Sequence, residues 1–428
     1  MGMIHIIGGG TVSHVRNHMA LAAPAYGSTA RKLFELVTAD SNKTDHGVLL
    51  TLTKMADYRS KLETSDDVSK FVDTIIADPN TKIIFFSPAL VDYDGFITTE
   101  GAAGYDWDYN IPTQSGKYEQ RLKTSEGRQK MTLTPAPKVI QKIRKERKDI
   151  FLVAFKTTCG ASEDEQFLTG LHLLKSNSCN LVFANDTKWR RNMIITPEQA
   201  RYEVTEDRNK ALETLVSMTL ERAKGTFTRS TVLEGDSIDW NSTAVPNNLR
   251  KVVNYCISKG AYKPFKGSTV GHFAVKVDDK TFFTSKRKTN FNNLDKVGLV
   301  KVVSDSPDSV IAYGAKPSVG GQSQRIIFTE HPDLDCIVHF HCPPKPEAQL
   351  SVRQQKNVEC GSHQCGKNTS DGLREDYPGI KAVYLDNHGP NIVFNRNMDA
   401  SKVIEFIEKN FDLSKSTDQV DRSRYLVE

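Results

Sequence analysis

One alternation runs through the first half of the chain and leaves few folds open to it. "MIHIIGGG" reads as a strand running into a glycine turn. "TKIIFFSPALVDY" (81–93), "DIFLVAFKTT" (149–158) and "CNLVFANDT" (179–187) are further short apolar runs. Between them "VSKFVDTIIAD" (68–78), "APKVIQKIRKE" (136–146) and "EDEQFLTGLHLLKS" (163–176) carry helical spacing. Strands separated by amphipathic helices imply an α/β domain with a parallel sheet covered on both faces. A long helix over 196–224, broken near Thr205, is expected to close it.

The 428 residues exceed what one core usually supports, so two domains are expected. Residues 225–248, "GTFTRSTVLEGDSIDWNSTAVPNN", are polar and turn-rich and mark the join. The expected division is 1–225, a linker over 226–247, and 248–428. Each half has its own apolar pattern, so fragments of 1–225 and 240–428 are expected to fold separately. The second half opens with a helix (248–260) and continues in β-rich pieces: "HFAVKV", "KTFFTS", "GLVKVVS", "CIVHFH" and "AVYLDNHGPNIVF". It ends in an amphipathic helix (398–412) and a charged tail.

Composition narrows the function classes. A net charge of +5 is mild for this length and argues against a nucleic-acid partner. The densest basic run, "QKIRKERKD" (141–149), has the mixed-sign pattern of a solvated helix face. No apolar run approaches the roughly twenty residues of a membrane span. The start "MGMIHIIGGGT" has no signal-peptide pattern, and Ile6 stands where a myristoylation motif after Gly2 wants Ser or Thr. Seven cysteines without paired spacing fit a reducing, cytoplasmic setting.

The chemistry concentrates in "DLDCIVHFHCP" (333–343). On a strand, residues two apart face the same way, so His339 and His341 would share one space. His388, before Gly389 in "KAVYLDNHGPNIVF" (381–394), would add a third imidazole from a neighbouring strand. Three nitrogens with an open fourth position suit catalytic zinc. Cys342, Cys360, His363 and Cys365 lie nearby in sequence, but "CGSHQC" matches no common zinc spacing and reads as small packing residues.

The order "GSTVGHFAVKV", "TSKRK", "KPS", "HPDLDCIVHFHCP" and "NHG" resembles the class II aldolase/adducin family over roughly residues 245–415. The resemblance implies an α/β domain with a central, mainly antiparallel sheet. It also implies Zn2+, or another divalent metal, on His339, His341 and His388, and a carbonyl substrate stabilised as an enediolate. The family's anion pocket would fall on Gly267, Ser268, His272, Lys286, Arg287 and Ser318. Lys286 and Arg287 replace small residues there, which fits either a more anionic ligand or a solvated turn. The family's glutamate falls at Gly320, which cannot carry a proton. His272, Glu347 and His363 are the remaining candidates for a base.

In the first half, "IIGGGTVSHVRNHMALAAPAYG", "SPALVDYD", "RLKTSEGRQKMTLTPAPKVIQKI", "IFLVAFKTT" and "NLVFANDT" resemble phosphopantothenoylcysteine synthetase over roughly residues 1–222. That family is Rossmann-like and dimeric, and activates a carboxylate with a nucleoside triphosphate. The resemblance would place nucleotide contacts, with Mg2+, on Gly8, Gly9, Gly10, Thr11, Asp92, Arg121, Lys123, Phe155, Ala184, Asn185 and Asp186. The family's intermediate-binding asparagine falls at Ala20, with Asn17 nearby, and its lysine at Arg121.

Together these imply a cytoplasmic two-domain enzyme on a small-molecule substrate: a zinc-dependent lyase site on an anionic carbonyl compound beside a nucleotide-binding, ligase-like domain. One alternative is an NTP-dependent acid–amine ligase with an accessory aldolase-like domain; another is a non-catalytic adducin-like scaffold. Both families' interfaces imply a homo-oligomer, dimer or tetramer.

Overall fold

The computed structural model describes residues 2–39, 45–98, 115–318 and 321–418. Gly320 and most of the charged tail lie outside them. The chain divides into two compact units, Met1–Ile195 with Glu203–Leu220, and Thr196–Tyr202 with Glu221–Glu428.

The first unit contains β1 (Met3–Arg16), β2 (Met19–Ala23), α1 (Ser28–Ala39), β3 (Gly47–Leu52), α2 (Ser65–Ala77), β4 (Thr81–Ala89), β5 (Tyr93–Thr98) and β6 (Lys130–Pro135). It continues with α3 (Ile140–Glu146), β7 (Phe151–Thr158), α4 (Glu163–Asn177), β8 (Leu181–Asp186) and β9 (Asn192–Ile195). β10 (Arg201–Thr205) and α5 (Arg208–Arg222) each cross the division. The sheet runs β10-β9-β8-β7-β4-β1-β2, with β3 also beside β1. β3, β1, β4, β7 and β8 are parallel, as the strand–helix alternation requires. Local chemistry fixes the helix starts: α2 and α4 both open with capping boxes, Thr64 with Asp67 and Ser162 with Glu165. Val68, Val72, Ile75 and Ile76 make one buried stripe on α2, which holds it against the core.

Two expectations fail here. The 196–224 segment is helix only past its expected break: residues 201–205 are strand, and helix begins at Arg208. Nor is there a glycine turn after the first strand, because β1 runs unbroken through Gly8, Gly9 and Gly10. Those glycines serve packing. A Cβ on Gly10 would lie 2.2 Å from the Ala23 carbonyl oxygen and 2.6 Å from the Ala25 nitrogen.

The second unit contains β11 (Arg229–Leu233), α6 (Asn247–Ser258), β12 (Pro264–Phe265), β13 (Ser268–Thr269), β14 (His272–Lys276), β15 (Thr281–Ser285) and α7 (Leu294–Val297). Next come β16 (Leu299–Ser306), β17 (Ser309–Tyr313), α8 (Gly321–Glu330), β18 (Cys336–His339), β19 (Val352–Arg353) and α9 (His363–Gly372). β20 (Arg374–Tyr377), β21 (Ile380–Leu385), β22 (Gly389–Phe394) and α10 (Ala400–Asn410) complete it. Its sheet runs β11-β17-β16-β15-β14-β18-β22-β21-β19, with β20 beside β21, and its centre is antiparallel.

Side-chain alternation gives this sheet two cores. Phe273, Val275 and Val338 pack with α6 and α10, through residues such as Val252 and Phe406. Ala274, Ile337 and Val393 face Ile327 and Phe328 of α8. Part of the segment expected as linker belongs to this unit. β11 pairs in parallel with β17, and Trp240, 1% exposed, sits in the first of these cores.

Candidate metal centre

β18 ends at His339, so His341 lies two residues past the strand rather than on it. His388 closes the turn between β21 and β22. The three imidazoles still converge: their ligand atoms lie within 4.8 Å of one another, and all three residues are buried. Ring centroids are 5.0 Å apart for His339 and His341, 4.7 Å for His339 and His388, and 4.9 Å for His341 and His388. Nitrogens on one tetrahedral zinc stand roughly 3.4 Å apart, so small ring rotations close the set on an ion. Among the described residues this is the one His, Cys, Asp or Glu cluster so arranged.

The surroundings fix these rings. His339 Nδ1 meets the Pro390 carbonyl oxygen at 2.7 Å, which leaves Nε2 for a ligand. Burial holds the His339 pKa down at about 4, against a smaller upward pull from the Pro390 hydrogen bond. The ring is therefore neutral at ordinary pH, the form that binds metal. Gly389 makes the turn possible: its φ is 139°, and a Cβ there would meet the Phe340 carbonyl oxygen at 2.2 Å. Thr417 ties the two histidine-bearing loops together, its N–H donating to the His341 carbonyl oxygen (3.2 Å) and its hydroxyl to that of His388 (3.4 Å). Arg201 in turn donates to the Asp418 carbonyl oxygen at 2.9 Å. The sequence reading missed Thr417 and Arg201, since neither sits in a motif.

Of the three base candidates, the structure brings only His272 to the trio, its ring 4.7 Å from that of His339. Burial and His339 hold its pKa well below the ordinary value. Glu347 is exposed on a loop. His363 begins α9 and is engaged with Thr228 (3.0 Å) and Asp308 (3.9 Å). Cys342, Cys360 and Cys365 are in no disulfide among the described residues, and Cys365 accepts a bond from Gln355.

The anion-pocket residues divide. Gly267 and Ser268 form the tight β12–β13 turn, where the Ser268 hydroxyl donates to the Phe265 carbonyl oxygen. Lys286 follows β15, the neighbour of β14, and is bridged to Pro317. Ser318 N–H donates to the Ser285 carbonyl oxygen, and Arg287 N–H to that of Lys316. Lys286 donates to the Ser237 hydroxyl at 2.6 Å and has no acidic partner among the described residues. Burial lowers its pKa.

In the first unit Gly8, Gly9, Gly10, Phe155, Ala184, Asn185 and Asp186 fall in the later part of the parallel pairings of β1, β4, β7 and β8, whereas Asp92, Arg121 and Lys123 lie on no strand. Gly10 pairs with Ala89 and Phe155 with Phe183, whose rings are 5.6 Å apart. β1 lies between β3 and β4, the point where the connections change direction and α/β sheets commonly hold ligands. Thr11 is fully buried and stitches β1 to the Ala89 carbonyl oxygen and the Val91 N–H. Asp186 is structural: five donors from Thr158, Gly160, Ala161, Lys188 and Trp189 surround its carboxylate. Burial would raise its pKa, but these donors hold it well below the usual range. Asn185 accepts from Thr157, Asp92 pairs with exposed Lys138, and Arg121 and Lys123 are exposed.

No family model matches this sequence, and no curated protein does. Solved structures similar to it include the DNA/pantothenate metabolism flavoprotein from Streptococcus pneumoniae, at 18% identity and a TM-score of 0.42, covering 50% of this chain and 96% of that one. The C-terminal domain of the coenzyme A biosynthesis bifunctional protein CoaBC matches at 12% identity and 0.34, covering 50% and 91%. L-Fuculose 1-phosphate aldolase matches at 17% identity and 0.30, covering 39% and 85%. Likenesses this faint carry no reaction or substrate over to this chain.

Proposed function

We propose that the second unit is a metal-dependent lyase acting on a small anionic hydroxy-carbonyl compound, with zinc on His339, His341 and His388. The carrying observation is the convergence of three buried imidazoles from the end of β18 and the β21–β22 turn. Three protein ligands are the number catalytic zinc sites use, whereas structural sites use four. Zinc bound there would polarise a carbonyl or hydroxyl oxygen of the substrate.

The chain's own residues supply the rest. The Pro390 carbonyl fixes the His339 ring, and the loops held by Thr417 keep the set closed. Lys286 follows the end of β15, which only β14 separates from the His339 strand. A partly buried cation without an acid there suits the carboxylate or phosphate end of a substrate.

The first unit is proposed to bind a nucleoside triphosphate with Mg2+ at the carboxyl ends of β1, β4, β7 and β8. If that unit carries the main reaction, the protein is an acid–amine ligase instead. Assaying the full chain against anionic hydroxy-carbonyl compounds separates the readings. Cleavage that needs no NTP and stops with a chelator is expected. Pyrophosphate release from NTP, acid and amine, with no such cleavage, would favour the ligase.

A further inference from the structure

His272 opens β14 opposite His339, their rings 32° from parallel. It is buried, and among the described residues its ring's one hydrogen bond is to Gln324 of α8, whose Nε2 donates to Nδ1 at 2.7 Å. A ring nitrogen that accepts a hydrogen bond carries no proton, so the neutral imidazole bears its proton on Nε2. That N–H has no acceptor among the described residues. Gln324 is fully buried too, and its Oε1 has no partner among them. A fixed helix amide with a stranded oxygen is a poor way to fill space beside a ring. An aliphatic side chain on α8 would pack there without burying an unbonded polar atom.

We propose that His272 contacts the substrate directly, donating its Nε2–H to an oxygen held at the histidine trio, and that Gln324 is the positioning residue that sets its tautomer. The inference rests on the metal reading above and adds to it a neutral donor for a two-oxygen, anionic ligand. No proton is transferred in this role: the N–H donates a hydrogen bond and stays neutral. His272 is also not a fourth ligand, since Nε2 keeps its proton.

The test uses the full chain loaded with cobalt(II) and titrated with acetohydroxamate, a planar two-oxygen chelator, while the visible cobalt bands are followed. His272→Phe and Gln324→Leu should each retain one cobalt per chain with unchanged bands before titration. Both should bind the hydroxamate about tenfold more weakly, the size of one charge-assisted hydrogen bond. His272→Gln, which restores an N–H donor, should recover most of the affinity. Unchanged hydroxamate affinity in His272→Phe with cobalt retained would overturn the proposal. So would cobalt loss from both His272→Phe and His272→Gln, which would make the ring a ligand. A wild-type chain that takes up no cobalt would instead overturn the metal reading itself, and this inference with it.

Discussion

Arg222 has no exposed side-chain surface, nor has its partner Glu198, and Glu359 is 3% exposed. The guanidinium bonds Glu198 at 2.6 Å and Glu359 at 3.2 Å, and also donates to the carbonyl oxygens of Lys356 and Gln355. Burial works against its charge, yet the two carboxylates hold its pKa above the usual value. Such a cluster adds little net stability over an apolar replacement, but losing one member strands the others. Arg222→Met is expected to cost about 3–5 kcal/mol, read from urea unfolding midpoints. Adding Glu198→Gln and Glu359→Gln to that variant should recover most of the loss. A loss below about 1 kcal/mol in Arg222→Met would mean the three groups behave as exposed ions. None of this was legible in the sequence, because nothing in the spacing of residues 198, 222 and 359 reports that they meet. The basic run at 141–149 does form a largely exposed helix face, as its pattern suggests, but the pattern does not show that two of its arginines also bind backbone: Arg144 donates to the carbonyl oxygens of Lys148, Ile150 and Ser178, and Arg147 to those of Ile76 and Asp78.

Elements whose cause is local were the ones open to reading. The capped, striped helices α2 and α4 and the apolar runs of β4, β7 and β8 fall where periodicity and capping residues put them. So do β18, β21 and β22, which bring the histidines together. Elements decided by distant partners were not. "GGG" looks like a turn, since glycine suits turns; here Ala23, Ala25, Ala30 and Thr53 press against the strand and exclude side chains. The 196–205 stretch has helical spacing, yet sheet pairing overrides it in residues 201–205. β11 is exposed and polar enough to read as linker, and only its pairing with β17 makes it strand. The tautomer of His272 belongs with these, because Gln324 is 52 residues away.

At the scale of the whole molecule, a cut in the polar segment at 226–247 does not separate the units. Thr196–Tyr202 and Glu221–Glu428 form one of them. A 240–428 fragment would lose β11, Arg201, Glu198 and Arg222, leaving Glu359 buried without its cation. It is expected to lack the cooperative thermal transition by circular dichroism that the full chain should show. A 240–428 fragment that unfolds cooperatively would contradict the division. Among the described residues no helix is long and apolar enough to cross a membrane. We further propose a homo-oligomer, which sedimentation of the full chain should show as a multiple of 47.8 kDa. The proposed chemistry of the second unit depends on a metal at the histidine trio, which elemental mass spectrometry of the full chain, purified without chelator, tests most directly. One zinc per chain is expected in the wild type and close to none in His339→Ala/His388→Ala. A wild-type chain with almost no divalent metal, or a double variant with undiminished zinc, would contradict it.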